Sequence, residues 1–387
     1  MTVLARGSKV GFARETTPGT FVPASVSVPW TKYTYETVLE PLRDESVRAN
    51  DSVLQGQYQG AGTSTHDVEL MAYPDIIGHF LRGMLGVDTV TAGVSTTLSS
   101  AASAGATTIS TALTIPAGST IKISGTAGTD YAITGTPSGA GPFTIPIVTG
   151  MGAGGNSLLF AHLSGDAVVS QTTHTFTQVT PATRPPSYSW TVDDLVAPVG
   201  FAGCQMSELE LKIDPKAVVT VSPKFTGFPE TSQSTFSYAA STTDPLIGWE
   251  WTLTNAGGAS TRGLSLDLTW KRAVEAIGSS DGTQAPREVF AAGLELSGTL
   301  KTIHEGTADY QAFMQNLQSP LVCTLTKPLG KGGESIAITA TQGAVGKGSR
   351  DLGGTYTQAS YDLDAVHNST DGGVSKVVLK NYQTTGY

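Results

Sequence analysis

Six histidines, at positions 66, 79, 162, 174, 304 and 367, carry the most versatile side-chain chemistry in this sequence. No two of them have the HExxH or HxxxH spacing that sets two ring nitrogens on one helical face, so a zinc site has no ligand pair. His79 belongs to the polar side of a short helix and is expected at the surface. "GMGAGG", residues 150–155, satisfies the GxGxxG pattern, yet no strand leads into it and no helix follows, so it reads as a turn. "GAVGKGS", 343–349, looks like a phosphate loop, but Thr341 stands where the first glycine is needed, which leaves a hairpin turn. The acids of "DLDAVHNSTDGG", from 362, lack EF-hand spacing. Glu36 and Glu40, four apart, would share a helical face, but the two-residue period around them makes a solvated strand edge. Cys204 and Cys323 read as small buried apolar residues, too few for a disulfide framework. No catalytic constellation, metal set or cofactor cradle emerges, and a non-enzymatic role is expected.

The elements that hold these residues are written in the composition. Only 14% of residues are charged, Gly (45) is abundant and the apolar fraction is 39%, which favours strands and turns over helical bundles. A net charge of −9 and a pI near 5.1 exclude a surface that grips a phosphate backbone. The amino-terminal "MTVLARGSKVGFARE" lacks a signal-peptide core and no stretch approaches a membrane span, so a chain made and kept in the cytoplasm, or released by lysis, is expected. With 387 residues, two or three domains are expected.

Strand periodicity appears at Ser8 to Ala13, Val28 to Val38 and Thr65 to Ala72, followed by a helix at Pro74 to Leu85 whose Ile77, Phe80, Leu81 and Met84 form a packing face. Strands are expected again at His174 to Val179, Tyr188 to Asp194, Met206 to Ile213 and Val218 to Phe225. After the Ser, Thr and Pro-rich stretch 228–246, the order recurs. Strands at 249–255, 263–271 and Leu294 to Thr302 precede a helix at Thr307 to Leu317, packing through Phe313, Met314 and Leu317, and four closing strands.

Between Gly93 and Gln171 the composition changes: few charges, short β-type runs and Gly-rich turns predict a small all-β insert. The expected division is 1–92 with 172–228 as a first module, 93–171 as an insertion domain on the outer surface, and 229–387 as a second module. The fold class is mainly β: two tandem β-sandwich or barrel modules, each with one short flanking α-helix. Each module also carries a polar loop at the same place, 39–62 and 272–292. Their charges, Arg43, Asp44, Glu45, Arg48 and Asp51 in the first and Arg272, Glu275, Arg287 and Glu288 in the second, suit docking arms on a neighbouring subunit, with Val47, Val53 and Leu54 supplying adhesion. A mobile surface loop is the plainer alternative.

"GSKVGFARETTPGTFVP", "VELMAYPDIIGHFLRGMLG", "SELELKIDPKAVVTVSPKFTGF" and "VVLKNYQTTGY" together resemble the major tail tube protein of long-tailed, non-contractile bacteriophages, over all of the chain but the insert. That resemblance implies sheets of neighbouring modules joined into a closed β-barrel around a channel, rings that stack head to tail, and long loops reaching the adjacent ring. It implies a virion tail component assembled in the host cytoplasm, with double-stranded DNA passing through without specific binding, no membrane, and tape measure, terminator and distal tail proteins as partners. Two modules per chain favour a trimer of pseudo-six-fold symmetry, with a hexamer as the alternative. The competing class is a tandem β-sandwich carbohydrate-binding or adhesin protein; a secreted β-rich hydrolase lacks both catalytic groups and a signal peptide.

Overall fold

The computed structural model describes residues 4–255, 258–278, 280 and 282–387. Its first part contains β1 (Lys9–Arg14), β2 (Val26–Ser27), β3 (Trp30–Asp44), β4 (Gly56–Met71), helix α1 (Ile77–Leu85) and β5 (Gly86–Thr91). Six short strands follow: β6 (Ser95–Thr97), β7 (Thr108–Thr111), β8 (Thr120–Gly125), β9 (Gly128–Thr134), β10 (Phe143–Thr149) and β11 (Ala167–Ser170). The chain returns through β12 (Thr172–Gln178), β13 (Tyr188–Asp193), β14 (Val199–Ile213), β15 (Thr220–Gly227) and β16 (Thr231–Ser232). Then come β17 (Trp251–Asn255), β18 (Gly258–Ser260), β19 (Gly263–Ile277), β20 (Glu288–Ile303), helix α2 (Ala308–Met314), β21 (Ser319–Thr326), β22 (Ser335–Asp351), β23 (Gln358–Ala365) and β24 (Lys376–Asn381). Among the described residues strand makes up 53% and helix 6%, a mainly β fold as expected.

Several local expectations are corrected. The polar loops 39–62 and 272–292 are mostly the outer ends of two hairpins, β3–β4 and β19–β20, whose ladders continue to Asp44↔Gly56 and Ile277↔Glu288. "GAVGKGS" is no hairpin turn; it lies inside the seventeen-residue strand β22. His79 is not a surface residue: its ring packs edge-on against Phe12 at 5.2 Å and Tyr387 at 4.8 Å between centroids. Burial, with Arg14 and Arg82 nearby, pushes its pKa down to about 4.

The two parts repeat one pairing scheme. In the first, β3 pairs β4, β4 pairs β15, β15 pairs β14, β14 pairs β13 and β13 pairs β1. In the second the corresponding chain of pairs is β19, β20, β23, β22, β21 and β17. The likeness extends to irregularities. Both hairpins carry two bulges, at Trp30/Lys32 and Leu39/Pro41 in one and at Gly263/Ser265 and Arg272/Val274 in the other, a constant step of 233 (263 − 30; 274 − 41). The β14–β15 ladder shifts at Met206/Glu208 and the β22–β23 ladder at Val345/Lys347, a step of 139 (345 − 206). A bulge rotates every later side chain to the other face, so matched bulges mean matched faces.

The modules are fused by β14, which pairs with β19 from Glu208↔Lys271 to Ile213↔Leu266, and by β24, which pairs with both β12 and β22. One apolar core runs through both, with Trp190, Phe80, Met84, Leu211, Leu268, Trp270 and Leu379 each at most 2% exposed. Residues 95–170 form a separate six-stranded sheet around their own cluster of Ile109, Ile121, Ile123, Ile145 and Val168. Its entry and exit are clamped together, Val94 N donating to Ser170 Oγ at 2.7 Å and Gly93 N to Thr172 Oγ1 at 3.1 Å.

Candidate functional site: a two-sided eight-stranded sheet and its arms

Following the ladders gives one sheet in the order β3-β4-β15-β14-β19-β20-β23-β22, four strands from each module. Strict alternation makes its two faces opposites. On β14, Leu209, Leu211 and Ile213 are buried while Glu208, Glu210 and Lys212 meet solvent; on β19, Leu266, Leu268 and Trp270 are buried while Asp267, Thr269 and Lys271 are not. Helix α1 closes the dry side, with Ile77, Phe80, Leu81 and Met84 all buried. Broadly apolar on one face and capped by Gly86 at φ +99°, it ends where its packing stripe ends.

The wet face carries an alternating ladder of charge. Asp67, Lys224, Glu208, Lys271 and Glu295 stand opposite one another on five successive strands. Glu208 is paired with Lys224 at 2.9 Å and with Lys271 at 3.3 Å, the second contact crossing the module junction. Partial burial pushes the Glu208 carboxyl up, but the hydrogen bonds and charges of the two lysines outweigh it and hold the group below the usual range. Lys224 rises for the complementary reason, its hydrogen bond to Glu208. The alternation of "SELELKI" announces this face; the partners of Glu208 come from β15 and β19 and leave no trace in the local sequence.

The two arms extend beyond the sheet on the same side. The second leans on the first, Gln284 O accepting from Gly62 N at 2.8 Å. The expected docking charges divide into three groups. Arg43 and Asp44 end β3, while Glu45, Arg48 and Asp51 lie in the tip between β3 and β4, where Arg48 pairs with Asp44. Bonds from Ser46 and from Arg48 lower the Asp44 carboxyl. Glu275, Arg287 and Glu288 line the second arm, and Glu288 pairs with Arg184 at 2.6 Å. Arg272 stands apart: it is buried, donating from Nε to Met84 O at 2.8 Å and from Nη1 to Ala292 O at 2.7 Å. Burial lowers its pKa to about 10. Val47, Val53 and Leu54 at the first tip are exposed, Val47 to 95%.

The second helix differs from the first. Met314 and Leu317, expected on its packed face, are 64% and 51% exposed, whereas Leu81 and Met84, one step of 233 earlier (314 − 81; 317 − 84), are buried. The cause is positional: α1 packs against β14, β12, β5 and β19, whereas α2 packs chiefly against β22, whose edge beyond Gly343 pairs only with β23.

Among the described residues no group of three or more His, Cys, Asp or Glu is placed to hold a metal ion, and no helix is long and apolar enough to cross a membrane. Cys204 and Cys323 are buried and unbridged. What the described surface does carry is strand edges, a charge ladder and projecting arms. No curated protein matches the chain in sequence. The family model described as phage tail tube protein matches residues 120–365, well over half of the 387, and this chain belongs to that family of structural tail proteins, a component of the virion tail.

Proposed function

We propose that the chain closes with two further copies into a ring whose wall is the eight-stranded sheet, and that such rings stack into the tail tube of a long-tailed, non-contractile phage. The observation that carries this is a duplicated sheet with one packed face and one wet face, bearing four equivalent strands per module. Three copies then present six equivalent modules, a trimer of pseudo-six-fold symmetry. Mass measurement of an isolated ring tests it: three chains are expected, and six would exclude the trimer.

The wet face is assigned to the channel. It bears Glu36, Asp67, Glu69, Glu208, Glu210, Asp267, Glu295, Asp351, Asp362 and Asp364 against Lys32, Lys212, Lys224, Lys271, Lys301 and Lys347. An excess of carboxylate repels a sliding polyanion and keeps double-stranded DNA from binding the wall during ejection. The arms are assigned to the adjacent ring, the 95–170 sheet to the outer surface, and tape measure, terminator and distal tail proteins to the tube's inside and ends. The division into modules 1–92 with 172–228 and 229–387, interrupted by 93–171, is part of the same reading. Electron microscopy of purified protein tests it further: rings or tubes support it, and monodisperse single chains under all assembly conditions overturn it.

A further inference from the structure

Two strand edges of the sheet are unpaired among the described residues: the outer edge of β3, which pairs only with β4, and the outer edge of β22 beyond Gly343, which pairs only with β23. These are the two positions that the internal junction has filled. β3 corresponds to β19 and β22 to β14, bulge for bulge, and β14 holds β19. The module junction is therefore a template for contact between copies.

Resting on the ring reading above, we propose that β22 of one copy pairs antiparallel with β3 of a second copy in the register of β14 with β19. Inside the chain Leu209, Glu210, Leu211 and Lys212 face Trp270, Thr269, Leu268 and Asp267. Adding 139 to the first set and subtracting 233 from the second puts Gly348 opposite Thr37 of the second copy, Ser349 opposite Glu36, Arg350 opposite Tyr35 and Asp351 opposite Thr34.

Exposure follows this mapping. Leu352 is 78% exposed where its counterpart Ile213 is 1%, and Tyr35 is 38% exposed where Leu268 is 2%. Met314 and Leu317 lie open where Leu81 and Met84 are buried. A second copy's β3 arriving over α2 covers all four. Charge also fits: Lys347 takes the place of Glu208, opposite Val38 of the second copy, and comes diagonal to Glu36 on the wet face.

The outer seam is the more polar one. Thr37 replaces Trp270, Arg350 replaces Leu211 and Gly348 replaces Leu209, so fewer apolar contacts back the ladder. Charged residues on a free edge discourage indiscriminate pairing. The fused junction is permanent and the seam between copies reversible, which keeps a free chain from polymerising through its edges before the ring geometry engages them all.

The test is a register-specific crosslink. Directly opposite Cβ atoms stand about 4.5–5.5 Å apart and diagonal ones about 7–8 Å, and a disulfide tolerates only the shorter span. E36C/S349C protein, oxidised after assembly, is expected to shift to two-chain and three-chain mass on a non-reducing gel, while T34C/S349C stays at one-chain mass. K347E is expected to weaken assembly and K347E/E36K to restore it. Wild-type rings seen by microscopy without the E36C/S349C crosslink, or with the T34C/S349C crosslink instead, overturn this seam and leave the tube reading standing. Absence of any ring overturns both.

Discussion

Arg272, on a strand of the second module, donates to the main-chain oxygen of Met84 at the end of the first module's helix, at 2.8 Å. A helix C-terminus leaves carbonyls unsatisfied, and a cation there meets both the free acceptor and the negative end of the dipole. Arg272→Ala removes that bond and the one to Ala292 O. The expected loss is about 2–4 kcal/mol, read as a lower urea midpoint for the unassembled chain; an unchanged midpoint would refute this role.

Acid should loosen the fold well before the carboxylates titrate. Burial lowers the pKa of His66 from 6.5 to about 3, and burial with the nearby charges of Arg14 and Arg82 lowers that of His79 to about 4. Both are neutral in the folded state, so their stabilising contribution is complete above pH 6.5 and is lost as pH falls toward those values, because the unfolded chain takes up the protons. The slope is about 1.4 kcal/mol per pH unit for each histidine. Urea midpoints measured from pH 7 to pH 4.5 should fall, and His79→Gln should flatten the curve; a flat wild-type profile contradicts the assignment.

The insert should be dispensable for the wall. Its sheet has its own core, and its ends are clamped at Gly93, Val94, Ser170 and Thr172. Excision of 95–169 with a short Gly-Ser bridge is expected to leave ring assembly intact by microscopy. Loss of rings from a folded deletion protein would show that the insert braces the wall.

The first arm should matter for stacking and little for folding. Val47→Asp with Val53→Asp alters side chains 95% and 75% exposed, so the unfolding midpoint should move by less than about 0.5 kcal/mol. Rings are expected to form and tubes to fail, as counted in micrographs. Normal tubes would remove the arm from the ring-to-ring contact.

Channel charge should set the passage of DNA. Replacing Asp67 and Glu295, which end the alternating ladder, by Lys is expected to slow ejection from assembled particles while rings still form. Unchanged ejection kinetics would take the wet face out of the channel.

Local pattern determined much of this protein. Alternation such as "SELELKI" and "GLSLDLTWK" dictates strands with one wet face, since side chains on a strand point to opposite sides. Recurrence of strand, helix and strand made the duplication legible with little shared identity. The charge-poor run after Gly93 announced a distinct sheet. Tertiary structure alone decided the rest. The flanks of loops 39–62 and 272–292 became strand, up to Asp44 and Gly56 and to Ile277 and Glu288, because each arm of a hairpin supplies the other's hydrogen-bond partners, which polar composition does not reveal. His79 and Arg272 are buried by residues far along the chain, Tyr387 and Met84 among them. Equal apolar patterns placed Met84 in the core and Leu317 in solvent, because burial depends on whether a neighbouring strand is present, and pairing between distant strands is not encoded in either segment by itself.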